Sequence, residues 1–568
     1  DSPRKVIYTV LIPALIGSFI LMISKFIIFP DILAYFLTLR EYEDGSLPQT
    51  TRLWADAPAD VYYNFYLWNI TNPDEMIYEG AMPRVQEVGP YTYLGQELKE
   101  NLTWSSDGNE VSYRNRRFWH FNSSMSCPTC REEDRVIVPN VAYSAMAAIV
   151  LYNDMPIPLV STILDVSILV TGSAPIQTVP VGDLLFNSFD DPLISLQTST
   201  FTKSFLRAMH GTLFGFKLPD YPHPGLLPLY NQTYEPETRV KTGKANIEEL
   251  TKIVSYGGKR SMEWFSGEAA YLQRCNDGAF NKLFLQREDK IHIFQSYLGR
   301  SFTLEFHKES TRDSVPTFVY RLEKEGFNTN AEHNVGMRYE NVEQIDYAPT
   351  WPTCPSDHFY SPNNSRCINI ECSREDNFCD SCCNGSHYGP TVFLPPGFYP
   401  LRVFPGRLGR VPFAIFMSSP HMLGVPKEVS SLYAGQNPSE SKHIPMDVEL
   451  NPTMGTVMHA HMRVQMNIAF AKADVAQSKS LANSIAPIFW LHIEVKMRGD
   501  EIASLNKMQG LYLPRTINWL LAIHFLIALV FMSILFFYEI SQNSNLISSK
   551  GKTREIIRLP RIFTVEKA

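Results

Sequence analysis

Two unbroken apolar runs frame a long middle in which apolar and polar residues alternate. Residues 6–24 carry no charge, and after Lys25 the run resumes as far as Phe29. Residues 517–538 form the second run, with Trp519 near one edge and Phe536, Phe537 and Tyr538 at the other. Each is long enough for a helix to cross a hydrocarbon core of about 30 Å. The aromatic edges suit the two membrane interfaces. A soluble core helix would show an apolar stripe rather than an apolar circumference. The pattern predicts spans at 6–29 and 517–538. The first exceeds the roughly 7–15-residue apolar region of a removable signal and lacks a small-x-small cleavage site, so it reads as an uncleaved anchor.

Between the runs the period changes. In residues 457–470, Met458, Ala460, Met462, Val464, Met466, Ile468 and Phe470 share one face, and His459, His461, Arg463, Gln465 and Asn467 share the other. Period two is the mark of a half-buried strand. Gly89-Pro90, Gly257-Gly258, Pro395-Pro396-Gly397 and Asn451-Pro452 punctuate further extended runs, which favours an antiparallel, β-rich body. Residues 139–196 differ: 141–152 and 159–170 are strongly apolar and read as helical pieces. No repeat or long Gly/Ser linker divides the middle, so 30–516 reads as one large domain.

Charge fixes the orientation. Arg4 and Lys5 precede the first run, and Lys550, Lys552, Arg554, Arg558 and Arg561 follow the second. The positive-inside rule places both tails, 1–5 and 539–568, in the cytoplasm and the domain outside. Two further features agree. Glycosylation acceptor tripeptides at Asn69, Asn101, Asn122, Asn231, Asn363 and Asn384 all lie between the runs. So do all nine cysteines: Cys127, Cys130, Cys275, Cys354, Cys367, Cys372, Cys379, Cys382 and Cys383. In an oxidising compartment these are disulfide candidates, with zinc at Cys127/Cys130 or Cys379/Cys382 as the rival; an odd count leaves a thiol over.

The composition, 45% hydrophobic with a net charge of −7 over 568 residues, is that of a folded globular body. No nucleophile elbow, His-Glu-x-x-His, phosphate loop or dinucleotide fingerprint occurs, so neither an enzyme nor a cofactor is expected. His459 and His461 are a metal pair in spacing, but no third ligand is suggested nearby and a solvated strand face accounts for them. No metal or nucleic-acid partner is expected. A two-span channel would need a polar stripe, and Asn518, His524 and Ser533 do not share a helical face.

The segment 64–93, NFYLWNITNPDEMIYEGAMPRVQEVGPYTY, resembles a signature of the class B scavenger receptor family, which includes fatty acid translocase, scavenger receptor BI, lysosomal integral membrane protein and the sensory neuron membrane proteins. Further matches follow in the family's order: Val111-Ser112-Tyr113, residues 255–260, residues 274–278, Ser418-Ser419-Pro420-His421, residues 449–467 with Arg-x-Gln-x-Asn, and residues 485–490. The resemblance implies a distorted antiparallel β-barrel with a lipid tunnel, a membrane-distal helical bundle at 139–196, and two flanking transmembrane helices. It implies a cell-surface receptor that binds lipids, fatty acids or lipoprotein-like particles and passes lipid to the membrane. Ile157, Leu159, Val160, Ile163, Leu164, Ile168 and Leu169 are the head residues expected to touch ligand. The alternative is an adhesion or pattern-recognition receptor for a protein partner, and a homo-oligomer stays open.

Departures from the family pattern sharpen that expectation. Better-known members carry lysines on a head helix that attract anionic particles, whereas residues 165–184 here hold no Lys or Arg. A neutral surface has little pull on a polyanion beyond contact distance. Cys275 matches a family half-cystine, but the positions near 298–300 and 406–407, where the resemblance implies a bonded pair, have no cysteine. The tail lacks an acidic residue four positions before a Leu/Ile pair, which favours the plasma membrane over the lysosome or endosome.

Overall fold

The computed structural model describes residues 12–23, 29–144, 147, 158–198, 225–227, 231–262, 270–296, 298–323, 326–329, 332–337, 397–400, 415–425, 427–475, 477–504 and 514–550. The chain divides into two compact units: Asp1–Phe36 with Ala503–Ala568, and Leu37–Ile502.

In the first unit, helix Ile12–Ile23 packs against helix Pro514–Lys550. A small residue lets the two backbones approach: a Cβ on Gly17 would sit 3.2 Å from His524 Nε2. Within the long helix, Asn518–Tyr538 is long and apolar enough to cross a membrane. Trp519, Phe525, Leu526, Phe536 and Phe537 all stand exposed on it, as a lipid-facing surface requires. The described part of the first run is shorter than a span.

The second unit is built on strands. They are β1 (Ala59–Ile70), β2 (Val85–Trp104), β3 (Glu110–Phe121), β4 (Arg135–Pro139), β5 (Ile176–Pro180), β6 (Thr238–Lys241), β7 (Ile253–Tyr256) and β8 (Ile291–Gln295). The remainder are β9 (Arg300–Arg312), β10 (Val315–Leu322), β11 (Tyr399–Pro400), β12 (Ile415–Ser418), β13 (Met446–Leu450), β14 (Val457–Phe470) and β15 (Ser484–Met497). All pairings are antiparallel, in the order β7-β6-β3-β2-β1-β15-β14-β13-β10-β9-β8, with β12 joining β14 and β11 joining β12. β4 and β5 form a separate two-stranded sheet.

The expected antiparallel body is present, but among the described residues the sheet does not close into a barrel. Its end strands, β7 and β8, do not pair with each other. The Cys275-Asn276 segment lies between them: Ile253 N donates to Cys275 O, Asn276 N to His292 O, and Phe294 N to Asn276 O. The edge groups that closure would need are thus satisfied by a loop.

Period two places Met462, Val464, Met466 and Ile468 of β14 in the principal core with Phe489, Leu491 and Ile493 of β15. The opposite face is only partly the solvated surface the sequence suggests, because Gln465 and Asn467 are fully buried. Phe398, Phe416, Met422, Val425, Tyr433, Ala469 and Ile485 form a smaller core over that end of the strand. There β14 is covered on both faces and its amides must find partners inside the protein.

Candidate functional site

The head region is part helix and part strand. Helix Pro158–Thr171 packs on helix Pro192–Thr198, and Ile168 and Leu193 share a cluster with Tyr143, Ala147, Ala473 and Val475. Residues 165–184 are not one helix: the chain leaves helix after Thr171, forms β5 against β4, and makes a π-helical turn at Asp183–Asn187. Phe186 of that turn enters the sheet's aromatic core, with ring centroids 4.7 Å from Tyr93, 5.3 Å from Trp119 and 5.8 Å from Phe65.

The predicted contact residues separate. Ile157 lies outside the described residues, and Leu159, Val160, Ile163 and Leu164 lie on helix Pro158–Thr171. Ile168 is 2% exposed and belongs to the core, while Leu169 is 80% exposed. Val166 and Val170, not among the expected contacts, are also exposed and lie at helical spacing from Leu169. The sequence signal for them was present: the three sit at i, i+3 and i+4 in a helix whose only charged residue is Asp165.

Of the acceptor asparagines, Asn101 is exposed in left-handed conformation. Asn122 Oδ1 accepts from the Ser124 hydroxyl at 2.7 Å and from Ser124 N at 3.0 Å. Asn69 Oδ1 accepts from Ile137 N at 2.9 Å, and Asn231 Oδ1 from Trp119 N at 3.3 Å. Asn363 and Asn384 lie outside the described residues, as do Cys354, Cys367, Cys372, Cys379, Cys382 and Cys383. Cys127 and Cys130 form a disulfide with Cα atoms 5.1 Å apart. Cys275 is a buried free thiol, pushed up to about 11 by burial, against the pull of Arg274 and Ser301.

A polar seam crosses the sheet face opposite the core. At its centre Glu87 Oε2 accepts from His421 Nε2 and Trp490 Nε1, each at 2.7 Å. Asn437 N donates to His421 Nδ1, so the His421 proton sits on Nε2. Burial opposes ionisation of Glu87, but the hydrogen bonds from His421 and Trp490 and the nearby imidazoles hold its carboxyl below the ordinary range. The His443 ring stacks on His421 at 3.9 Å, and burial, reinforced by His421, pushes His443 down to about 4. Gln465 Oε1 accepts from His421 N, and Asn467 Nδ2 donates to Ser418 Oγ.

Further along the seam, the register places Asp447 of β13 and Glu494 of β15 on either side of His461. His459 Nε2 is 2.8 Å from Glu494 Oε1, and His461 Nδ1 is 2.9 Å from His492 Nε2. Arg312 Nη2 contacts His459 Nδ1 at 2.7 Å while Arg312 Nε donates to Glu449 at 2.7 Å. Arginine only donates, so in this arrangement His459 is protonated on Nε2. Burial lowers both His461 and His492, the latter to about 3 with help from Arg463 and His461.

A model of the CD36 family matches residues 7–539. The chain belongs to the CD36 family. Over 487 residues it is 28% identical to an uncharacterized Caenorhabditis elegans protein, covering 84% of this chain and 86% of that one. It is 22% identical over 458 residues to lysosome membrane protein 2 of Rattus norvegicus, covering 80% and 79%. It is 24% identical over 477 residues to sensory neuron membrane protein 1 of Antheraea polyphemus, covering 82% and 78%. CD36-family membership agrees with a membrane-bound scavenger-type receptor rather than an enzyme.

Four of the seven segments that carry the resemblance, scattered in sequence, meet in the seam. Glu87 comes from the 64–93 signature, His421 from Ser-Ser-Pro-His, Gln465 and Asn467 from Arg-x-Gln-x-Asn, and Trp490 from the 485–490 motif. The two signature glycines have steric reasons. Gly80 adopts φ +69° where a Cβ would lie 2.6 Å from Ser480 O, and Gly89 adopts φ +135° where a Cβ would lie 2.7 Å from Phe65 O.

Proposed function

We propose that the chain is a cell-surface receptor that takes lipids or lipid-carrying particles at its head and passes lipid through a tunnel in the sheet domain to the membrane. In this reading two spans, 6–29 and 517–538, hold the domain outside with both tails in the cytoplasm. The observation that carries it is the apolar face of helix Pro158–Thr171, where Leu169 is 80% and Val170 74% exposed and Val166 stands beside them. Apolar side chains left in water at helical spacing form a contact surface for an apolar ligand. Each acyl CH₂ kept out of water is worth about 0.8 kcal/mol. With no basic residue in 165–184, the favoured cargo is neutral or weakly charged lipid rather than a polyanionic particle.

The test is uptake of labelled fatty acid and cholesteryl ester by cells expressing the full chain or its Leu169→Asp/Val170→Asp variant, at matched surface levels. Uptake should fall severalfold in the variant. Uptake equal to wild type would overturn the proposal. No lipid in organic extracts of the purified protein, together with retained binding of a protein ligand, would favour the adhesion reading.

A further inference from the structure

We infer that the outer face of β14 and β15 is a binding site for one late first-row dication, with Zn²⁺ the natural occupant, ligated by His459, His461 and Glu494. The ligand atoms of these three residues all lie within 4.8 Å of one another, and all three side chains are half-buried. The arrangement follows from strand geometry. His459 and His461 are two apart on β14 and so share a face, and Glu494 lies opposite His461 on β15. Their rings stand 4.3 Å apart between centroids.

The donor set selects the metal. Imidazole nitrogen with one carboxylate suits Zn²⁺ and its neighbours, whereas Ca²⁺ and Mg²⁺ require an oxygen cage. Zinc holds such ligands at about 2.0–2.2 Å, which puts the donor atoms roughly 3–3.5 Å apart. The 2.8 Å between His459 Nε2 and Glu494 Oε1 is already near that spacing, and small rotations of half-exposed side chains supply the rest.

The surroundings fit a ligand sphere better than a purely structural network. His461 Nδ1 is engaged by His492, the outer-sphere hydrogen bond that fixes a ligating imidazole's tautomer. Its Nε2 has no hydrogen-bond partner among the described residues. When zinc takes His459 Nε2, the single ring proton that this atom shared with Glu494 moves to Nδ1. Arg312 then gives up His459 but keeps Glu449, which it holds through Nε at 2.7 Å and Nη2 at 2.6 Å. Asp447, Glu449 and Glu494 match Arg312, Arg463 and Lys496 in number, so no excess positive charge repels the ion.

Full-length protein purified in detergent, thiol-blocked with iodoacetamide and stripped with chelator, would be titrated with ZnCl₂ by calorimetry and its zinc content measured. Wild type should bind one Zn²⁺ per chain and gain thermal stability. Glu494→Gln, which keeps the shape and the hydrogen bond to His459, should weaken binding by at least about tenfold, the loss typical even of an outer-sphere change. His461→Gln should do the same, and His443→Gln, outside the site, should not. The melting temperature of metal-free Glu494→Gln checks that its fold is intact. No stoichiometric zinc in wild type, or zinc retained with undiminished affinity by folded Glu494→Gln, would overturn the inference.

Discussion

Trp490 Nε1 and His421 Nε2 donate to the same oxygen of Glu87, each at 2.7 Å, so one carboxylate ties β2 to β15 and to the Pro420–Met422 turn. Glu87→Gln keeps an amide oxygen able to accept from both donors but loses the charge that strengthened both bonds. Denaturant unfolding should show a loss of about 1–2 kcal/mol, with Glu87→Ala losing more because both donors are then stranded.

His443 predicts a pH response. Its folded-state value is lowered from the ordinary 6.5 to about 4, chiefly by burial, with His421, Lys442 and Arg463 adding to the shift and Glu87 opposing it. The unfolded chain therefore takes up this proton first as the pH falls. Its stabilising contribution is complete above about pH 6.5 and is lost as the pH drops towards about 4. Unfolding midpoints measured across that window should decline in wild type and decline less in His443→Gln.

Gly80 has no tolerable replacement. In Gly80→Ala a left-handed backbone and a methyl against Ser480 O combine, and the cost should be about 1–3 kcal/mol. A lowered melting temperature and reduced surface expression would both report it.

Cys275 should resist alkylation. It is fully buried and its thiol is pushed up to about 11, so little thiolate forms at pH 8 and none of it meets solvent. Iodoacetamide should leave this residue unmodified in the native protein and label it after denaturation. Peptide mass spectrometry distinguishes the two, and rapid native labelling would contradict the assigned burial.

The parts of this fold that were legible in the sequence are those set by near neighbours. The period-two run of β14 and the apolar circumference of Asn518–Tyr538 both depend on spacings of a few residues, whereas spacing left the pairing of Cys127 with Cys130 open. Contacts across the chain were not legible. The partners of His459 and His461 are on β15, and no local pattern says that Glu494 will register opposite His461. Gln465 and Asn467 likewise look solvent-facing until the Ser419–Leu423 region is laid over them. In the head, a helix whose apolar residues are spread around it conceals which side faces inward, so Ile168 and Leu169 looked alike although one is core and the other surface. Six crowded cysteines and Ile157 lie outside the described residues.

The pairing of β1 with β15 has a temporal consequence. Asn64 donates to the carbonyl of a residue 428 positions later, so the two strands that meet mid-sheet are nearly the first and last of their unit to be synthesised. At about 5–20 residues per second a ribosome needs tens of seconds to travel that distance. Throughout that interval the amino-terminal hairpins wait with an open, sticky edge on β1, and a chain cut short before residue 484 never acquires the strand that seals it. Premature termination anywhere upstream leaves that edge permanently unpaired, a template for pairing with another chain.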